Sequence, residues 1–306
     1  YLLRIALYLR QYSEKYCFMR ERLVFMMSIT GPLEDENIQM PQPVRPRVLM
    51  CEPTYFTVSY RINPWMHPEK PTDNSLALRQ WKNLYKIYID LGFDVELISP
   101  IVGLPDMVYS ANGGFVLDGI AYGAKFHYEE RKPEGPAYME WFESNGFDVR
   151  RPLEVNEGEG DFLLAGDSVL AASGFRSDTR SHDEIGKIFE REVLSLKLVN
   201  PNYYHLDTAL SVIADETVAY LPSAFDDESR EILETRFPNA ILVSEADAAQ
   251  LGINCFSDGH NVVMAEQAKG LSLELANRGF NPIGVNLSEL LLGGGGVKCC
   301  TLELRS

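Results

Sequence analysis

From residue 46 onward, apolar and polar positions fall into short runs of two kinds. One kind is apolar or alternating and folds back about a polar pair. It occurs as GFVLDGIAYGA about Asp118-Gly119, DFLLAGDSVLAAS about Gly166-Asp167, ALSVIADETVAYL about Asp215-Glu216 and NCFSDGHNVVMAE about Asp258-Gly259. Asp and Gly between β-rich flanks predict hairpins. The other kind carries apolar residues at helical spacing: SLALRQWKNLYKIYIDLGF, AYMEWFESNGF, HDEIGKIFEREVL, DESREILETRF and QAKGLSLELANRGF. Three of these stop in glycine then phenylalanine, at Gly92-Phe93, Gly146-Phe147 and Gly279-Phe280, as helices closed by a left-handed glycine do. Short apolar strands follow them, in DVELISP, DVRRP and PIGVNL.

The order hairpin, helix, strand recurs. Asp118, Asp167, Asp215 and Asp258 lie 49, 48 and 43 residues apart, which marks a repeat of roughly 50 residues. Four copies are complete, whereas PRVLMCEP near the start and VKCCTLEL at the end each lack a hairpin partner. Pairing the two closes a ring. The pattern therefore predicts an α/β fold, a fivefold pseudo-symmetric propeller whose terminal strands complete the fifth blade and leave no exposed edge. An open α/β sandwich is the alternative. The ring is expected over 46–306. Residues 1–45, basic up to Met27 and then proline-dotted, are expected as a leader helix and linker outside it.

Composition narrows the function. The 306 residues are 45% hydrophobic and 24% charged, as in a globular protein, and the net charge of -16 repels nucleic acid and anionic membrane surfaces. The apolar opening YLLRIALYL is interrupted by Arg4 and closed by Arg10, too short to span a bilayer. Five cysteines with no C-x-x-C pair argue against a disulfide framework or zinc ribbon and for a reducing, cytoplasmic setting. The tetraglycine run lacks the Gly-Lys-Ser/Thr ending of a phosphate loop, and no H-E-x-x-H is present. No metal or other cofactor is expected.

Polar clusters recur with the repeat: PDMVYSAN (105–112), EGEGD (157–161) and YYHLD (203–207) each precede a hairpin, and GGGGVKCC (293–300) opens the last strand. Equivalent loops of a ring converge on its axis. Cys299 is a candidate nucleophile if its thiol is acidified, and the glycines before it permit close approach of a ligand or backbone. His205 can carry a proton both ways. The H-x-D spacing puts Asp207 on the same strand face as His205, and Glu157 is placed to fix the imidazole tautomer. Each residue taken singly has a structural alternative, since strand-end cysteines and lone histidines are commonly buried packing residues.

Together, PDMVYSAN, EGEGD, YYHLD and GGGGVKCCT over residues 46–306 resemble the pentein superfamily of guanidino-group-modifying enzymes. The likeness is nearest to arginine dihydrolases and dimethylarginine dimethylaminohydrolases, and INPWM (62–66) adds to the dihydrolase side. The resemblance implies a cysteine hydrolase that cleaves guanidinium C–N bonds through a thiouronium intermediate. Arginine dihydrolase, yielding ornithine, ammonia and carbon dioxide, is the first reading. The alternatives are dimethylarginine dimethylaminohydrolase, arginine deiminase, amidinotransferase or a non-catalytic binding relative. It implies Cys299 as nucleophile, His205 as general acid/base and Glu157 as its partner, with Glu159 the weaker substitute. Asp207 becomes a guanidinium ligand, Asn63 and Arg131 ligands of the amino-acid end, Arg176 a carboxylate clamp and Asp106 the α-amino ligand. Asn112 stands where deiminases and dimethylarginine hydrolases carry aspartate, as dihydrolases also have asparagine. A neutral amide suits a neutral urea and therefore a second round of hydrolysis. The implied partner is a small cationic amino acid, arginine or methylated arginine, and a homo-oligomer is compatible with the reading.

Overall fold

The computed structural model describes residues 46–305, and the leader and linker expected over 1–45 lie outside them. The strands form five sheets of three strands each. In the first, β3 (Gly114–Leu117) pairs antiparallel with β4 (Ile120–Gly123), α2 (Glu134–Ser144) crosses over, and β5 (Asp148–Arg150) lies parallel to β4. The same order is kept by β6 (Phe162–Ala165), β7 (Ser168–Ser173), α3 (Arg180–Phe189) and β8 (Glu192–Lys197). It recurs in β9 (Leu210–Ala214), β10 (Thr217–Tyr220), α5 (Asp227–Arg236) and β11 (Ile241–Leu242), and in β12 (Phe256–Ser257), β13 (Asn261–Ala265), α7 (Lys269–Asn277) and β14 (Asn281–Val285). Two one-turn helices, α4 (Leu206–Ala209) and α6 (Glu245–Ala248), fill loops.

The fifth sheet is permuted. β1 (Arg47–Cys51) leads through α1 (Asn74–Asp90) to a parallel β2 (Asp94–Ile98), and its hairpin partner arrives from the far end as β15 (Leu302–Glu303). Val48 pairs with Glu303 and Leu49 with Leu302, so the expected closure of the ring by the chain ends holds. The first strand of each sheet faces the axis: β9 packs against both β6 and β12, and β15 against β3. The parallel third strands lie outward under their helices.

Local chemistry explains the elements. Asp118 and Gly119 both have positive φ (53° and 75°), the requirement of a two-residue hairpin turn whose twist matches its strands. In α1 the buried side chains Ala77, Trp81, Leu84 and Tyr88 recur at three- and four-residue steps. Asp73 caps its first turn by accepting from Leu76 N, and Gly92 closes it with φ 84° while Phe93 N reaches back to Tyr88 O at 3.0 Å. Gly146 and Gly279 do the same for α2 and α7.

Two local expectations change. The run HDEIGKIFEREVL is not helical throughout: α3 stops at Phe189, Glu190 turns left-handed with φ 52°, and EVL begins β8. Leu194 and Leu196 there pair into a sheet, which outweighs the helical spacing of the preceding residues. VKCC is not the start of the last strand, because β15 contains only Leu302 and Glu303 and Val297–Cys300 lies in turns before it.

Candidate active site

Each inner strand is preceded by a loop that carries polar side chains to the same mouth of the ring. Asn112 sits two residues before β3, Glu157 before β6, His205 and Asp207 before β9, Asn254 before β12 and Cys299 before β15. All are buried, with Cys299 2% exposed. Their convergence is the geometric consequence of the repeat.

Cys299 Sγ donates to Asp207 Oδ2 at 3.1 Å. Burial pushes this thiol well above its ordinary value, and the neighbouring Asp207 charge pushes further in the same direction. Both push the resting thiol away from the acidified state that a nucleophile requires. Burial likewise moves Asp207 up to about 7, against the Cys299 hydrogen bond and the Lys298 charge. Its second oxygen, Oδ1, is buried without a partner.

His205 Nε2 lies 2.7 Å from Glu157 Oε2. Burial alone would raise the Glu157 pKa, but Arg176 and then His205 outweigh it and hold the carboxyl well below the usual carboxylate range. The H-x-D pair is not on one strand face. His205 caps the one-turn helix α4 and Asp207 lies in its first turn, because Asp161 Oδ1 accepts from Leu206 N at 3.2 Å and bends the chain there. Asp161 was missed in the sequence, although it ends the EGEGD motif. Its other oxygen accepts from Ser177 Oγ at 2.6 Å, and burial raises its pKa to about 6.

The two arginines face inward. Arg176 spends its fork on Glu157 Oε2 (2.9 Å) and the Ile62 carbonyl (3.0 Å), between the rings of Tyr128 and Tyr204. The carboxylate clamp expected of it is thus directed at a protein carboxylate. Arg131 pairs bidentately with Glu134, at 3.0 and 2.7 Å, and donates to Asn112 Oδ1 at 2.7 Å. It orients Asn112, whose Nδ2 points toward the Glu157 carbonyl at 3.4 Å. Asn63, expected at the amino-acid end, is engaged with backbone: Nδ2 donates to Gly293 O, and Oδ1 accepts from Trp65 N and Met66 N. Asp106 differs. Tyr60 donates to its Oδ2 at 2.9 Å, while Oδ1 is buried and unpartnered.

Glu159 belongs to another cluster, with Lys298, Glu303 and Arg305 on the inner side of the ring. The tetraglycine is a packing device: side chains on Gly293 or Gly295 would collide with Tyr109, whose hydroxyl donates to the Leu290 carbonyl at 2.6 Å. Asn254, which the sequence reading passed over, bonds both Cys299 and Asp207. Its signal was the repeat itself, since the fourth hairpin was the one left without a polar cluster. The segment from Pro53 to Thr72 straps the mouth, tied by Trp65 Nε1 to Asn202 O (2.8 Å), Ile62 to Arg176 and Tyr60 to Asp106. Among the described residues no cluster of three or more His, Cys, Asp or Glu is arranged to hold a metal ion, and no helix is long and apolar enough to cross a membrane.

A ring of five such units, with cysteine, histidine and carboxylates delivered to one mouth, defines the pentein class of guanidino-modifying hydrolases. Residues 53–306 match the profile described as N,N dimethylarginine dimethylhydrolase, eukaryotic, and the chain belongs to that family. It is 50% identical over 258 residues to N(G),N(G)-dimethylarginine dimethylaminohydrolase of Mycobacterium tuberculosis, covering 84% of this chain and 85% of that protein. It is 38% identical over 267 residues to the bifunctional arginine dihydrolase/ornithine cyclodeaminase AgrE of Nostoc sp., covering 85% of this chain but only 38% of the relative. The crystal structure of the N-terminal domain of ArgZ bound to substrate, an arginine dihydrolase from cyanobacteria, superposes with a TM-score of 0.82 at 36% identity, over 85% of this chain and 98% of that one. A dimethylarginine dimethylaminohydrolase adduct at 19% identity, TM-score 0.69, covering 85% of this chain and all of that one, shares the fold.

Proposed function

We propose that residues 46–306 form the catalytic domain of an arginine dihydrolase with Cys299 as nucleophile. The observation that carries this reading is the pair of buried, unpartnered carboxylate oxygens, Asp207 Oδ1 beside the thiol and Asp106 Oδ1 farther along the mouth. A buried carboxylate oxygen without a hydrogen bond is disfavoured, and a guanidinium at Asp207 with an ammonium at Asp106, whose other oxygen lies 3.9 Å from Arg131 Nε, would satisfy both. Arginine carries these two cations at the ends of one chain.

In the proposed sequence the strap over residues 53–72 lifts, arginine enters, and its guanidinium seats against Asp207. The cation lowers the cost of ionising Cys299, whose proton passes to His205, and Glu157 stabilises the imidazolium. The sulfur attacks the guanidinium carbon. His205 returns the proton to the departing ammonia, and the thiouronium remains on Cys299. Imidazole then takes a proton from water, whose oxygen displaces the sulfur and leaves citrulline. A second attack on the ureido carbon expels another ammonia, and hydrolysis of the thiocarbamate yields a carbamate that loses carbon dioxide to give ornithine. Asn112 supports this second round, since its amide, held by Arg131, meets a neutral urea without demanding a cation. In this reading Arg131 and Arg176 are positioning residues. The chemistry calls for no cofactor, and a reducing cytoplasm suits the free buried Cys51, Cys255, Cys299 and Cys300.

The second reading, dimethylarginine hydrolysis, is favoured by the 50% identity to the mycobacterial relative. Product analysis separates the two. Ornithine with two ammonia per arginine is the expected outcome; citrulline with dimethylamine from dimethylarginine, and no turnover of arginine, would replace it with the second reading.

A further inference from the structure

Asn254 lies at the fourth blade's equivalent of the other site loops and is fully buried. Every side-chain bond it makes goes to the nucleophile loop or to Asp207. Oδ1 accepts from Gly296 N and Cys299 N, each at 3.1 Å. Nδ2 donates to the Asp207 carbonyl at 2.9 Å and to Cys299 Sγ at 3.2 Å. These partners fix which end of the amide is which: backbone N–H groups meet only the oxygen and a carbonyl meets only the nitrogen. The remaining N–H therefore faces the sulfur.

We infer that Asn254 is a catalytic residue whose amide N–H stabilises the Cys299 thiolate. This rests on the reading of Cys299 as nucleophile. In the resting site the sulfur has one hydrogen, given to Asp207, and receives the Asn254 N–H. Once the proton leaves, the N–H···S bond acquires an ionic acceptor and strengthens. Only an interaction that grows with charge on sulfur eases ionisation. It works against the burial and the Asp207 charge that hold the thiol protonated. A neutral donor is suited to this place, because a lysine or arginine there would pair with Asp207 and compete with the substrate cation.

The test is the pH dependence of Cys299 alkylation by iodoacetamide, followed by peptide mass spectrometry in wild type, Asn254→Asp and Asn254→Ser. No guanidino substrate is needed, so the result is independent of which compound the enzyme consumes. Asn254→Ser removes the amide donor without adding charge and is the deciding variant; Asn254→Asp keeps the size and the acceptor of both backbone N–H groups but adds to the lost donor a charge that itself opposes ionisation. Its Cys299 profile should move up by about one pH unit or more, which at fixed pH is at least a roughly tenfold slower reaction. Asn254→Ser should show a smaller rise. In a turnover assay kcat should fall with KM little changed. A folded Asn254→Asp or Asn254→Ser whose alkylation profile overlays wild type overturns the inference, as does a loss confined to KM. A shifted Asn254→Ser profile in a protein that turns over no guanidino compound upholds the sulfur contact and removes the proposed function instead.

Discussion

Glu157 and Glu159 stand two residues apart, both completely buried, and their surroundings differ in kind. Glu159 is bonded by Lys298 Nζ at 2.5 Å, by Arg305 and by Glu303 N at 3.0 Å, and Lys298 also reaches Glu303 and the Thr301 carbonyl. Its cations are permanently charged and its oxygens are both engaged. Glu157 also has both oxygens engaged, but Arg176 and the imidazole of His205 share its Oε2 and His127 N donates to Oε1, so one of its partners is a group able to exchange a proton. Asp106 feels its charge, and Asp207, between Cys299 and the charges of Lys298 and Glu159, completes the site; each of the two has a buried oxygen with no hydrogen-bond partner. A closed ionic network holds the ring; an incomplete one with a titratable member is equipped to receive a cation and move protons. Burial is common to both and distinguishes neither.

The sharpest break between the two clusters concerns turnover. Cys299→Ser should reduce it by about 10⁴-fold or more with little change in melting temperature, while Cys300→Ser, whose side chain is buried against the core, should spare most of it. Steady-state kinetics on both variants decides, and the reverse pattern would reassign the nucleophile. On the closed cluster the loss should fall on stability instead. Lys298→Met strips the 2.5 Å partner from Glu159 and should lower unfolding stability by about 3–5 kcal/mol in urea titrations. A near-neutral result would show that Arg305 alone compensates Glu159.

Asp207→Asn should move the two properties in opposite directions, abolishing turnover while stabilising the fold. The folded protein holds this proton up to about pH 7, whereas the unfolded chain releases it near 3.8. Stability is therefore lost as pH rises through that window, and removing the carboxyl restores it. The gain should be on the order of 1–4 kcal/mol above pH 7 and vanish toward pH 4. Thermal melts of both proteins across this range measure it, and a gain that grows on acidification would contradict the burial of a charged Asp207.

Much of this was visible beforehand at the level of elements. The hairpin turns, the Gly-Phe helix ends and the pairing of the chain ends depend on residues next to each other or on a repeat that can be counted. The errors have local causes as well. HDEIGKIFEREVL keeps helical spacing past Phe189, and only the sheet partner of Leu194 and Leu196 marks where the helix stops. H-x-D implied one face of a strand, but Asp161, a residue distant in sequence, caps that segment into a helical turn. Asn254 was overlooked because its loop contains no motif of its own; its place in the repeat was the available signal.

The sequence alone determined the ring, its five units, the membership of the site loops and the resemblance that singled out Cys299, His205 and Glu157. These follow from turn chemistry, periodicity and motif order, which are properties of neighbouring residues. Tertiary structure confined Glu159 to a separate ionic cluster, set the Cys299 thiol against Asp207, and turned both arginines toward the protein's own groups. Those outcomes depend on pairings such as Glu157 with His205 and Glu159 with Lys298, 48 and 139 residues apart. In a buried site charge is tolerated only with its partner in place, and the partner is known only once the ring has closed.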